Sequence, residues 1–185
     1  VEWVDIDHPD QAFVSGTRYG GVRAQGLVQG ASHIVRGEGC WYGNGVIHVC
    51  STRGGRSANG QIFAHDPRRE VFSLVFESGG DSEIDHPDNI AGSPRGSLVL
   101  CEDGNATPQA LRGLTLDGTI FPFCFNNVDF SATGTYTRLS GVRFSSDYRG
   151  AEFCGASFHD AWLFVNIQGP GISFAITGPW DDGTL

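Results

Sequence analysis

The sequence contains no lysine and no methionine, and no apolar run reaches the ~18 residues that a membrane-spanning helix needs. Without lysine the chain cannot form a Schiff base, use a lysine general base or build a Walker-type phosphate loop. Positive charge is scarce, with 12 arginines against 21 acidic residues and a net charge of −9. A surface of that sign repels a phosphate backbone, which argues against a general nucleic-acid binder. The acidic surplus by itself reads as solubility. With no methionine, Val1 is expected to be a processed terminus or an internal cut, and targeting is not legible in this stretch. No Cys-x-x-Cys pair occurs among Cys40, Cys50, Cys101, Cys124 and Cys154, and their odd number leaves at least one unpaired. They are expected to serve as small buried hydrophobes on strands. The six histidines form neither His-x-His nor His-Glu-x-x-His, and His48 reads as a half-buried strand residue. No Gly-x-Ser-x-Gly elbow exists, because Gly55-Arg-Ser57-Ala-Asn59 lacks the last glycine.

Glycine and aromatic residues are abundant, with 27 Gly, 13 Phe and 4 Trp in 185 residues. That length allows one domain or part of a larger one, and the aromatics supply a core. Residues 1–36 form a mixed lead-in. Val1–Ile6 alternates like a short strand and ends at a Pro9-Asp10 turn. Ala24, Leu27, Val28, Ala31 and Val35 fall at helical spacing, weakened by Gly26 and Gly30.

From 37 to 185 the pattern becomes short apolar runs separated by Gly, Asn, Asp and Pro turns. Val46–Cys50, Leu98–Cys101 and Trp162–Asn166 look like equivalent strands. Gly60–Ala64, Gly118–Pro122 and Gly171–Ala175 form a second set, which puts Ile62, Ile120 and Ser173 at matching positions. The leading glycines of that set lie 58 and 53 residues apart. A period of about 50 with several strands per unit is the mark of propeller blades. The expected fold is therefore all-β, a β-propeller represented by about three four-stranded blades. Since closed propellers have at least about four blades, the chain is expected to be the C-terminal part of a longer one.

Each unit opens near an acidic residue: Glu38, Asp88 and Glu152. If these occupy matching positions on innermost strands, their carboxylates converge on the axis. Converging carboxylates repel unless a hard cation such as Ca²⁺ neutralises them. The alternative is ordinary turn chemistry, with Asp88 following Pro87 and Glu38 in a Gly-flanked loop. Glu102 extends the strand Leu98–Leu100 toward the same end, whereas Asp103-Gly104 is a turn signal. Asn126 reads as a turn residue in preference to a ligand. Arg53, Arg56, Arg95 and Arg112 are expected in solvated loops.

Several stretches resemble the PhoX-type alkaline phosphatases. They are Glu38-Gly-Cys-Trp-Tyr42, Ser51-Thr-Arg-Gly-Gly55 with Gly60-Gln-Ile-Phe63, Asp85-His-Pro-Asp-Asn-Ile90 and Ser93-Pro-Arg-Gly96. Leu100-Cys-Glu-Asp-Gly104, Leu163-Phe-Val-Asn-Ile-Gln168 and Phe174-Ala-Ile-Thr-Gly-Pro-Trp180 complete the set, in the family's order. The resemblance implies a six-bladed propeller that hydrolyses phosphate monoesters at an iron and calcium cluster on its axis. It assigns Glu38, Asp88, Glu102 and Glu152 to the metal shell, and none of the five cysteines to iron. It also implies a small phosphate-ester substrate, export to the periplasm or beyond, and a monomer at full length. The residues after Gly155-Ala-Ser-Phe158 depart from the family's Ser-Pro-Asp-Gly-like turn: His159-Asp-Ala161 stands there, a turn altered rather than lost.

Two other readings fit a propeller of this kind. One is a calcium-dependent lactonase or esterase, which would carry one calcium and no iron. The other is a non-catalytic binding propeller, whose carboxylates would pair with arginines and leave no metal pocket. In the phosphatase reading no protein nucleophile is required, and 1–185 alone is expected to lack turnover.

Overall fold

The computed structural model describes residues 1–12, 20–80, 82–131, 136, 137, 141 and 143–185. They divide into two compact units, Val1–Val35 and Arg36–Leu185.

In the first unit, Val1–Ile6 forms no strand. Gln29, just past the helix α1, Gly21–Val28, donates to the Asp5 carbonyl, and Gln25 within it holds His8. The Gln25 amide both accepts from the His8 N–H (2.9 Å) and donates to the His8 carbonyl (2.8 Å). The helix stops short of Ala31 and Val35 for a local reason. Gly30 takes φ 88°, its N–H bonds the Leu27 carbonyl, and the Ala31 N–H bonds the Gly26 carbonyl. That is a Schellman closure, which a residue with a Cβ forms only with strain.

The second unit is built from antiparallel sheets, each following chain order. Strands β1 (Gly37–Gly43), β2 (Val46–Ser51), β3 (Gln61–Asp66) and β4 (Val71–Glu77) make the first sheet. Strands β5 (Pro87–Gly92), β6 (Leu98–Glu102), β7 (Ala110–Leu114) and β8 (Ile120–Phe125) make the second. A two-stranded ribbon, β9 (Tyr136–Thr137) and β10 (Arg143–Phe144), precedes a three-stranded sheet. That sheet is β11 (Phe153–His159), β12 (Trp162–Ile167) and β13 (Ile172–Thr177). The first strands adjoin one another: β5 lies against β1 on one side and β11 on the other.

The repeat inferred from the glycines is out of phase in one unit. Ile62 and Ser173 lie on third strands, β3 and β13, whereas Ile120 opens the fourth strand β8. A glycine turn followed by alternating apolar residues marks entry into any hairpin strand. Gly118 marks the β7–β8 hairpin, while the true counterpart of β3 is Ala110–Leu114, entered through Pro108-Gln109 with no glycine. The third sheet has three strands, not the four expected. The altered turn at His159 is intact: Asp160-Ala161 form a two-residue hairpin turn, and His159 pairs with Trp162.

The second sheet is buried on both faces, which explains its unbroken apolar run Leu98–Cys101. Leu98, Leu100 and Ile90 face the first sheet in a core with Cys50 and Ile62. Ala91, Val99, Cys101 and Leu111 face the third sheet, against Phe153, Leu163 and Val165. Trp41 packs against both cores. Leu100 is fully buried, so Leu100→Ala is expected to cost about 2–5 kcal/mol in a denaturant melt. An unchanged midpoint would mean that the first two sheets do not pack on each other.

Candidate functional site

The first strands of the first two sheets each carry one extra residue at their start. The β1–β2 register slips between Gly37 and Cys40, and the β5–β6 register slips between Pro87 and Asn89. Glu38 and Asp88 occupy these bulges, which turn a side chain out of the regular alternation. The strands meet closely there. A Cβ on Gly39 would lie 2.6 Å from the Asp88 carbonyl oxygen, so only glycine allows the approach. The Thr52 hydroxyl donates to the Pro87 carbonyl (2.9 Å), joining the first two sheets. On the other side the Asn89 side-chain amide oxygen Oδ1 accepts the Ala156 N–H (2.9 Å), joining the second and third.

The ladder fixes which positions match. Just past each second strand an amide donates back to the residue before the first strand: Thr52 to Arg36, Asp103 to His86, and Gln168 to Glu152. Glu38 and Asp88 are thus equivalent, and the third sheet has Cys154 at that position. Glu152 stands two residues earlier, level with Arg36 and His86. The expectation of three equivalent carboxylates therefore holds for two.

Glu152 nevertheless meets the other acids. Its carboxyl is pushed up to about 7 by burial first, then by a hydrogen bond to Asp103 and the charges of Asp103 and Asp88. Asp88 is raised by burial and by the charges of Glu38 and Asp103. Arg36 opposes both shifts, its Nη2 lying 3.2 Å from Glu38 Oε1 and 3.8 Å from Asp103 Oδ2. Four carboxylates from three sheets thus share one solvent-reaching region with the Arg36 guanidinium.

Asp103 and Arg36 were not legible as members of this group. Asp103 looked like the first half of an Asp-Gly turn. Gly104 is required for another reason: a Cβ there would lie 1.8 Å from Asp85 Oδ2. Asp85 is buried and also accepts the Asn105 N–H (2.8 Å), and its Oδ1 meets His86 Nδ1 (2.5 Å).

Glu102 faces away from solvent, only 1% exposed. Its Oε1 accepts from Arg112 Nε (2.8 Å) and from the Asp85 N–H (3.0 Å). Burial raises its carboxyl more than these bonds lower it. Arg112 is accordingly a strand residue of β7 with a buried partner, not a loop arginine; Arg53, Arg56 and Arg95 do lie in turns. Asn126 is fully occupied by the Tyr148 and Ala151 carbonyls and the Val128 N–H, which is turn chemistry.

A family model described as alkaline phosphatase PhoX matches residues 1–171. The chain belongs to the PhoX alkaline phosphatase family. The match includes the lead-in before Gly37, which the resembling stretches had left out, and stops before Phe174–Trp180. No curated protein matches the chain.

The PhoX chain keeps its thiols unpaired: all five cysteines are free, and all lie on strands. Burial pushes the Cys50 and Cys101 thiols far up and Cys124 to about 11, while Cys40 is exposed. Alkylation of the native chain at pH 8 is therefore expected to label Cys40 quickly and leave Cys50 and Cys101 untouched until unfolding. Equal labelling of all five, read by mass spectrometry, would contradict the described burial. No helix among the described residues is long and apolar enough to cross a membrane.

The donor chemistry of the acidic group fits a hard cation, since its oxygens repel one another and resist ionising together. It is not a finished cage. Among the described residues no three His, Cys, Asp or Glu side chains stand close enough to hold one ion.

Proposed function

We propose that this PhoX-family chain contributes to a metal-dependent phosphatase that hydrolyses small phosphate monoesters. In this reading its three sheets are successive blades of a six-bladed propeller, and residues 37–185 are part of that domain, with 1–36 leading in. The family resemblance supplies iron and calcium as the metals and the periplasm or the exterior as the location.

The observation that carries the reading is the meeting of Glu38, Asp88, Asp103 and Glu152 from three consecutive sheets. Asp88 and Glu152 are both held above their ordinary carboxylate values. A protein gains nothing in stability from such crowding, and a cation relieves it. Glu38, Asp88 and Glu152 are the proposed ligands, with Asp103 beside them. Glu102, the fourth residue that the resemblance assigns to the metal shell, would act from behind the group, since its carboxylate is committed to Arg112 and the Asp85 amide.

Bound metal ions would neutralise phosphate charge and activate an oxygen nucleophile. The chain's own residues orient that chemistry. The bulges aim Glu38 and Asp88, and Arg36 is the guanidinium within reach of an incoming phosphate once the carboxylates take the cation. Arg36→Ala is then expected to tighten calcium binding, by removing a competing positive charge, and to weaken phosphate binding. Isothermal titration with each ion checks this. Weaker calcium binding in Arg36→Ala would remove the arginine from the site.

A calcium-only lactonase is the same-architecture alternative. Metal analysis of the enzyme separates the two: iron with calcium supports the phosphatase, and a single calcium without iron sinks it.

A further inference from the structure

Asp85 lies just before β5 and is 4% exposed, so its carboxylate is nearly closed to solvent. A carboxylate taken out of water is costly unless its oxygens are paired. Asp85 Oδ2 accepts the Asn105 N–H (2.8 Å), while Oδ1 accepts from Asn59 Nδ2 (3.3 Å) and meets His86 Nδ1 (2.5 Å). Its own N–H donates to Glu102 Oε1 (3.0 Å).

These bonds tie together two short segments of the carboxylate group. Residues 85–88 lead to Asp88, and residues 102–105 carry Asp103 between Glu102 and Asn105. Asp85 grips the second segment on both sides of Asp103, through its amide at Glu102 and its carboxylate at Asn105. Between these two holds, the Asp103 N–H donates to the His86 carbonyl (2.8 Å). His86 takes φ 58°, a left-handed conformation that costs a residue with a Cβ some strain. Its ring on Asp85 and its N–H on the Asn59 carbonyl (3.0 Å) hold it there. Gly104 is not left-handed, yet a Cβ on it would lie 1.8 Å from Asp85 Oδ2. One carboxylate thus meets both irregularities, the strained histidine and the glycine that leaves it room.

We propose that Asp85 is a positioning residue, whose carboxylate sets the spacing of Asp88 and Asp103. It acts through those two acids, without touching cation or substrate, and its effect on metal affinity rests on the metal-binding reading of the group. The competing role is packing alone, in which the side chain only fills the space beside Gly104.

The test compares the chain with Asp85→Asn and Gly104→Ala, which leave Glu38, Asp88, Asp103 and Glu152 in place. Asp85→Asn keeps the shape and exchanges an acceptor oxygen for a donor amide. Gly104→Ala keeps every charge and pushes the carboxylate off Asn105. Leu100→Ala, in the core of the first two sheets, controls for lost stability. Well below each melting temperature, hydrogen exchange is read at the Asp103 and Asn105 amides, and calcium is titrated at pH 8. Both variants are expected to exchange these amides faster and to bind calcium about 10–100-fold more weakly, the usual cost of losing a group that orients a ligand. Leu100→Ala should keep the wild-type affinity. Wild-type affinity in either folded variant, or an equal loss in Leu100→Ala, would overturn the proposal. If Asp85→Asn does not fold, Gly104→Ala decides alone. If the wild type itself binds no calcium, the metal reading fails separately and the exchange decides for Asp85. Unchanged protection of both amides in the variants would then overturn the positioning role.

Discussion

Glu152→Gln is expected to make the calcium-free chain more stable at pH 8 and to abolish most of the stability that calcium adds. The sign follows from the direction of the shift. The Glu152 carboxyl titrates at about 7 in the fold, above the ordinary glutamate value. Its favourable contribution is present below the ordinary value and is lost as pH rises through about 7. At pH 8 the ionised carboxylate faces Asp103 and Asp88 unrelieved, and an amide removes that repulsion. Calcium does the same for the wild type, stabilising it by about 2.7 kcal/mol at a hundredfold excess over the dissociation constant. The variant keeps the shape but loses the charge, so its calcium response should largely vanish. Thermal melts at pH 5.5 and 8, with and without calcium, read all four states. A variant less stable than wild type at pH 8 without calcium would show that the group is not strained as described.

Arg112→Met should be among the most destabilising single changes in the second sheet, costing about 3–5 kcal/mol. Glu102 is nearly inaccessible, and Arg112 is its one charged partner at hydrogen-bond distance among the described residues. Removing the guanidinium leaves a buried carboxylate with the Asp85 amide alone. Glu102→Gln combined with Arg112→Met should recover much of the loss, because the double change removes both charges. The coupling from the four-membered cycle distinguishes a buried pair from two independent surface residues, for which it would be close to zero. Denaturant midpoints supply the numbers, and additive losses would contradict the pairing.

The elements that could be read from the residues are those in which side chains alone carry the signal. β2, β6 and β12 announced themselves as apolar runs bounded by turns, whereas the helical spacing ran on to Val35, past the end that Gly30 imposes. The bulges could not be read. A bulge adds a residue that changes neither composition nor hydrophobicity, yet it decides which carboxylate points where. Nor could the level of Glu152 be read, which the ladder sets beside Arg36 and His86, two positions before Glu38 and Asp88. Gly118 misled because a glycine turn looks the same before a third strand as before a fourth. Asp103 was hidden by its glycine, and Arg36 by lying where the lead-in gives way to β1. Arg112 was hidden by its charge, since an isolated arginine in a sequence reads as surface until a buried glutamate is found across the ladder.

Calcium binding by the carboxylates that meet from three sheets is read by a calcium isotherm. The chain is titrated with calcium at pH 8, beside Glu38→Gln, Asp88→Asn and Glu152→Gln. Saturable binding is expected for the wild type, with a loss of at least about tenfold in each variant, the scale expected when one charged ligand is neutralised. Isotherms that superimpose across all four proteins would contradict that expectation.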